Sequence, residues 1–491
     1  MKQESFLNIE NIRRSSGGVE YHPLVPFLPE NAKVLFLGSF PPQRKRWCMD
    51  FYYPNFINDH WRIEGEVFFG DRNHFVDDAH KCFSLSDIVD FCRQQGIAFY
   101  DASTAVCRLE DNASDKFLDV VQPTDVRALV AQLPHLRVIV TTGEKATETL
   151  CQTLDVPTVP KVNGSVVLPS LRSRDAGRLV LYRLPSSSRA YPLAFSKKVE
   201  AYRSMFLGAG LLKTAEPQLF YYDMGKGVTA FSTTRQGGCS TGSYAAFNIN
   251  RYSGDSELHV GRNRELLCRL LNIGDDHLLM PHQTHDVRVA CIDEAFMTLR
   301  AAERQEALEG VDALTTRLPG VCIGVSTADC VPLLLYDPRR QAVCAVHAGW
   351  RGTVGRIAEK AVAAMVASYG SCPQDLVAQT GPAISLDSFE VGQEVYDAFA
   401  AAAFPMEHIS RQYPTTANAQ EQKWHIDLPQ CNRDQLLAAG LRAENISLST
   451  VCTYQQSDTY FSARRLGVRS GRIFTGIVIN RQQEGGQPCI G

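Results

Sequence analysis

The segment TADCVPLLLYDPRRQAVCAVHAGWRGT (327–353) holds a thiol, Cys330, and an imidazole, His347, at the outer ends of two apolar runs. Both groups bind a borderline-soft divalent ion, at about 2.0–2.3 Å. The runs 331–336 and 342–347 flank Asp337-Pro338-Arg339-Arg340, residue types that favour a turn. With Pro338-Arg339 as a two-residue loop, Cys330 falls directly opposite His347, where Cβ atoms lie about 4.5–5.5 Å apart. A one-residue slip removes that match. Taken singly, a buried thiol or a strand-end histidine is more often structural; their convergence beside a Gly-Trp-Arg-Gly turn is what speaks for a metal. An open site takes three protein ligands and keeps a fourth position for water or substrate. PHQTHD (281–286) offers His282 or His285, and one suffices. A His2Cys set favours zinc by ligand type, and with a distant axial Met it suits copper.

A second constellation lies in the N-terminal half, in VLFLGSFPPQRKRW (34–47), FYYPNFINDHWRIEGEVFFG (51–70) and LPSSS (184–188). A strand followed by Gly-Ser-Phe-Pro-Pro makes a stiff loop that can hold backbone groups and Phe40 beside a ligand. Tyr52, Tyr53 and Trp61 are of the type that stacks on bases, and Arg44-Lys45-Arg46 can meet phosphates. Each also has a plainer use, since aromatics usually fill cores and a short basic run is usually a solvated loop.

The elements that must position these residues follow from the apolar pattern. Residues 33–39, 136–142 and 178–184 read as short buried strands, with helical stretches at 86–95 and 124–133, which argues for an α/β layer with working loops at the strand ends. That domain spans 1–207. GAGLLKTAEPQLFYY (208–222) has turn residues and no clear period, so 208–220 reads as a linker. Beyond it, strands at 228–233, 321–327, 331–336 and 342–347 mix with helices such as 354–369, which Thr353 can cap and Gly370 can end. A second, mixed α/β domain thus occupies 221–482, and 483–491 reads as a mobile tail. The fold class is α/β in two domains.

Length and composition agree with this. A chain of 491 residues exceeds what one core usually supports, and 44% hydrophobic with 21% charged residues is ordinary for a globular protein. MKQESFLNIENIRR lacks the apolar run of a signal peptide, and no uncharged apolar stretch reaches a membrane span, so neither export nor membrane embedding is expected. Fifteen scattered cysteines then read as free thiols in a reducing cytoplasm. Lys and Arg exceed Asp and Glu by two through residue 215 and fall short by five beyond it, a balance that permits a nucleic-acid surface in the first half without announcing one. Nothing in the pattern specifies an oligomeric state.

TTRQGG (233–238), FNIN (247–250), HQTH (282–285), ADCVP (328–332), VHAGWRG (346–352), GPAIS (381–385) with FEVG (389–392), and CTY with FSARR (452–454, 461–465) occur in that order. Over roughly 218–482 the chain resembles the family long known as polyphenol oxidase or laccase-like, now associated with purine nucleoside phosphorylase and adenosine deaminase activity and including a peptidoglycan-editing branch. The resemblance implies a zinc ion held by His285, Cys330 and His347, with purine nucleosides and phosphate as substrates. It prefers His285 over His282, and it places Arg235 and Asn248 at the pocket and Arg351 and Arg465 in matching motifs. Guanidinium groups near such a site suit phosphate, which they bind bidentately, although a surface Arg is more often simply solvated. Asp329, next to Cys330, is a candidate proton donor with a structural role as its equal rival.

Residues 30–200 resemble the uracil-DNA glycosylase superfamily, closest to its hypoxanthine-DNA glycosylase branch, in which G-S-x-P-G, Y-Y and N-x-x-W-R-I recur. This implies an α/β/α sandwich acting on DNA. Gly38, Phe40 and Tyr53 then belong to the base pocket, Asn58 matches the Asn that positions the attacking water, and Ser186 and Ser187 fall in the loop supporting the extruded base. Pro42 stands where that branch has Gly. Such enzymes must flip the base out of the duplex. Three rivals are set against these readings: a peptidoglycan-precursor editing hydrolase, a copper phenol oxidase, and a non-catalytic DNA-binding module in the first half. No cluster supplies the many histidines that a multicopper centre needs.

Overall fold

The computed structural model describes residues 18–108, 117–168, 171, 178–414 and 422–481, so the N-terminal segment and the 483–491 tail lie outside the described residues. Two compact units emerge, one through Thr214 with Ser256–His259, the other from Ala215 to Asp255 and onward from Val260.

The first unit is built on five strands: Val34–Gly38 (β1), Ile97–Asp101 (β2), Val138–Thr142 (β3), Ser165–Val167 (β4) and Val180–Leu184 (β5), in the order β2-β1-β3-β5-β4. All neighbours are parallel except the β5/β4 pair. Strands β1, β2 and β3 are apolar and buried almost throughout, as parallel strands covered on both faces must be. Helices His60–Phe69 (α1), Leu85–Gln95 (α2), Val126–Ala131 (α3), Glu144–Thr153 (α4) and Phe195–Ala209 (α5) complete the unit. The chain leaves β1 toward one side for β2 and returns to the other for β3, a reversal that opens a crevice at the carboxyl ends of the strands. Trp61 is not part of a stacking platform: it is buried in the core, with Nε1 donating to Tyr52 O, whereas Tyr52, its OH donating to Val25 O, is largely buried but reaches the cleft wall.

The second unit stacks two sheets. Strands Leu219–Tyr222 (β6), Val228–Thr233 (β7), Leu278–Leu279 (β8), Val289–Ile292 (β9), Ala313–Thr316 (β10), Cys322–Thr327 (β11), Val331–Asp337 (β12), Ala342–Ala348 (β13), Val377–Thr380 (β14), Ile446–Ser447 (β15) and Ile473–Ile479 (β16) form β6-β7-β16-β11-β8 and β9-β10-β13-β12-β14-β15. Strand β12 is buried on both faces. Leu333 and Leu335 join one core, whereas Leu334 and Tyr336 join another with Ile323, Val325 and Ile477 of the first sheet. This is the period of two that a sandwiched strand requires.

The hairpin register differs from the sequence expectation. Asp337 pairs with Ala342 and Pro332 with His347, so the loop has four residues, 338–341, and Cys330 sits one step before the strand. Asp337 Oδ1 accepts from both Arg339 N and Arg340 N, and Gln341 takes φ +49, which fits the longer loop. The expected helix 354–369 is also two elements, Trp350–Val354 (α6) and Ile357–Tyr369 (α7), broken at Arg356 with φ +64. Thr353 does not cap α7, because its hydroxyl accepts from Asn432 Nδ2 and its carbonyl from Gln435 Nε2, both on Leu428–Ala438 (α8).

Candidate functional sites

Cys330 and His347 still meet. The register shift moves the facing partner of His347 from Cys330 to Pro332, a step of two, and two residues on a strand point to the same face. Cys330 enters on the bend Ala328–Cys330 that crosses from β11 to β12. Asp329 turns that bend with φ +92, its carboxylate accepting from Thr453 Oγ1 at 2.7 Å and from Arg464 N at 2.7 Å. His285 arrives on a loop at φ +65, with its Nε2 3.9 Å from Cys330 Sγ and its ring edge-on to that of His347. The ligand atoms of His285, Cys330 and His347 all lie within 4.8 Å of one another, and among the described residues this is the one His/Cys/Asp/Glu group of three so disposed.

Asp312, which the sequence reading missed, ties the three together. Fully buried, it accepts backbone N–H groups from Thr284, His285 and Asp286, and His347 Nδ1 donates to its Oδ1 at 2.6 Å. An ionised carboxylate has no proton to give, so Nδ1 carries the hydrogen and Nε2 is the atom at which an ion would replace a proton. Burial opposes charge on His347, but the charges and hydrogen bonds of Cys330 and Asp312 outweigh it and push its pKa up to about 9. Burial opposes ionisation of the Cys330 thiol, but the charge and hydrogen bonds of His347 and His285 outweigh it and hold the thiol below its ordinary value. A side chain at residue 349 has no room: a Cβ there would lie 2.8 Å from the His285 ring and 3.2 Å from Cys330 Sγ, which explains the glycine of VHAGWRG. Only an Asp preceding the apolar run of β10 marks Asp312 in the sequence, and its spacing to either histidine follows no motif.

The other expected residues separate. His282 is turned to Glu309 at 2.7 Å and stacked on Tyr252, outside the trio. Arg235 donates Nε to Ala245 O and Nη1 to Ser457 O, and burial lowers its pKa. Asn248 is fully buried, with Nδ2 donating to Ser253 Oγ and Asp255 Oδ2 and Oδ1 accepting from Arg472 N. Arg351 and Arg465 are exposed, resting on the rings of Trp350 and Tyr454. Arg472, also missed, is half-buried, and the charges of Cys330 and Asp329 partly offset the desolvation that lowers its pKa.

In the first unit a cleft of about 1050 Å³ opens at the carboxyl ends of β1, β2, β3 and β5. Gly38, Phe40, Tyr53, Asn58, Ser186 and Ser187 all line it. Tyr53 stacks on His60 with ring centroids 3.7 Å apart and shares a hydrogen bond with Thr142. Asn58 Oδ1 accepts from His60 N, Ser186 Oγ accepts from Ser188 N, and Ser187 O accepts from Asp59 N. Of the basic run, Arg46 reaches the cleft, while Arg44 pairs with Asp50.

Comparison with known proteins covers the second unit. A purine nucleoside phosphorylase of Bacteroides thetaiotaomicron is 47% identical over 254 residues, 52% of this chain and 92% of that protein. An adenosine deaminase from an unknown prokaryotic organism is 48% identical over 252 residues, 51% of this chain and 94% of its own length. The crystal structure of the hypothetical protein YfiH of Bacillus licheniformis superposes with TM-score 0.50 at 30% identity, covering 54% of this chain and 97% of that one. The family model described as multi-copper polyphenol oxidoreductase laccase matches residues 229–480, about half the chain, and the protein therefore belongs to that family.

Proposed function

We propose that the second unit is a zinc-dependent purine nucleoside phosphorylase that also deaminates adenosine, and that the first unit is a DNA glycosylase removing uracil or hypoxanthine. The observation that carries the first half is the His285–Cys330–His347 trio braced by Asp312, since two imidazoles and a low-pKa thiol are a donor set that fits zinc. When bound there, zinc supplies Lewis acidity and makes water more acidic. The chain's own residues do the rest. Asp312 orients His347 and the His285 loop, and the exposed guanidinium groups of Arg351 and Arg465, stacked on Trp350 and Tyr454, are the candidates to receive phosphate. Arg235 and Asn248 turn donors inward, to Ala245 O and Asp255 Oδ2, and so act as supports. Asp329, with both carboxylate oxygens engaged, holds the bend that carries Cys330.

Metal analysis of the purified protein beside Cys330→Ala, with nucleoside products followed by chromatography, tests this. About one equivalent of zinc that vanishes in the variant, together with the free base formed from inosine and phosphate and the ammonia formed from adenosine, is expected. Retained zinc overturns the ligand assignment. Copper in its place favours the oxidase implied by the family's description, and neither free base nor ammonia favours amide hydrolysis on a cell-wall precursor.

The glycosylase reading rests on the cleft at the strand ends, with Gly38, Tyr53, Asn58 and the Ser186-Ser187 loop on its walls. Base release from uracil- or hypoxanthine-containing duplex is expected. Binding to such DNA without alkali-labile sites points instead to a non-catalytic module.

A further inference from the structure

The cleft holds a carboxylate that none of the motifs singles out. Three carboxylate residues line it: Glu144 and Glu148 are exposed on α4, whereas Asp101 is buried at the end of β2. Asp101 pairs in register with Gly38 of β1, and a Cβ on Gly38 would lie 2.4 Å from Asp101 Oδ1. The missing side chain at residue 38 is what lets the carboxylate cross β1 and reach the cleft wall.

Its other oxygen is fixed. His22 Nε2 lies 2.8 Å from Asp101 Oδ2, and the two side chains are 2% and 10% exposed. A hydrogen bond joins Nε2 to this oxygen. On the far side of the ring, Nδ1 lies 2.9 Å from Leu24 O and 3.2 Å from Leu24 N, so the imidazole is held at both nitrogens. Phe40, Tyr52 and Tyr100 pack around the imidazole. Burying a carboxylate among aromatic rings is unfavourable unless its charge is held by hydrogen bonds, and such groups concentrate where a reaction needs a base. Asn58 is poorly suited to act as that base, because its Oδ1 already accepts from His60 N and an amide oxygen is far less basic than a carboxylate.

We propose that Asp101 is the catalytic base of this cleft and that His22 is its positioning residue, an inference that rests on the glycosylase reading of the first unit. Water oxygen bonds to C1′ of the extruded nucleotide while the C1′–N bond breaks and its electron pair leaves with the base. The water's proton passes to Asp101 Oδ1, and the departing base takes a proton from solvent. The same carboxylate offsets the positive charge that develops on the sugar.

The test uses the full chain in single-turnover base release from duplex containing uracil or hypoxanthine, with gel retardation and thermal melting alongside. Asp101→Asn is expected to lower the rate by about 100-fold or more, the scale of general-base catalysis, while DNA retention and melting temperature stay unchanged. His22→Asn leaves the carboxylate in place and is expected to lower kcat roughly 10-fold with KM unaltered, as loss of orientation alone does. A wild-type protein that releases neither base overturns the glycosylase reading and this inference with it. Wild-type release that Asp101→Asn retains within about threefold overturns this inference alone. Should Asp101→Asn unfold, His22→Asn decides, and an unchanged kcat there overturns the assignment.

Discussion

Among single residues, the metal trio depends most on Asp312. It is the common acceptor for His347 Nδ1 and for three consecutive N–H groups of the His285 loop, so one side chain sets two of the three ligands. Asp312→Asn keeps an acceptor but loses the charge, and metal affinity is expected to fall about 10–100-fold, measured by competition with a chelator. Unchanged affinity would mean that Asp312 only braces the loop. Gly349→Ala is expected to fail differently. Its Cβ would press on the His285 ring, so metal content should drop while the hydrogen bonds of Asp312 persist. Metal content equal to wild type would show that the ring can give way.

Among the elements, the β12–β13 hairpin carries both the register and the site. Its four-residue loop is organised by Asp337, which is buried and accepts two backbone N–H groups. Asp337→Ala leaves those donors to find other partners and is expected to destabilise the unit by about 1–2 kcal/mol. Thermal melting should register this as a fall of roughly 2–6 °C. Asp337→Asn, which keeps Oδ1, should recover most of the loss; equal loss in both variants would assign the effect to the charge instead of the turn. The break between α6 and α7 has a comparable logic. Arg356 accepts a left-handed conformation while its guanidinium packs 3.9 Å over Phe404 and donates to Ala402 O, so the position keeps a long cation where glycine would be conformationally easier.

Across the molecule, the trio and the cleft draw their residues from different compact units. Two activities on one chain, each with its own machinery, are expected to be separable by mutation. Cys330→Ala should abolish nucleoside turnover and leave base release from DNA at its wild-type rate, and Asp101→Asn should do the reverse. Loss of both activities in either variant would reveal coupling between them. The fourteen described cysteines are all free thiols, and among the described residues no helix is long and apolar enough to cross a membrane.

Local pattern was enough for the α/β class, for strands expected at 33–39, 136–142, 178–184 and 228–233, and for singling out Cys330 and His347, because apolar periodicity and ligand chemistry belong to residues and their near neighbours. Between His282 and His285 it left the choice open, and only the family resemblance preferred His285. Strand pairing is not local. The hairpin loop is two residues longer than its sequence suggests, since Pro-Arg at a turn suits a two-residue and a four-residue loop alike, and the packing of Asp337 and Gln341 is what separates them. Cys330 and His347 survive that difference because a shift of two preserves the face of a strand. Folding in three dimensions was needed to join loop and strand through Asp312, to bury Trp61 in a core, and to bring Asp101 into the space that Gly38 leaves. Each of these is a contact between residues distant in the chain or a burial that depends on them, and such partners come into being only when the sheets close.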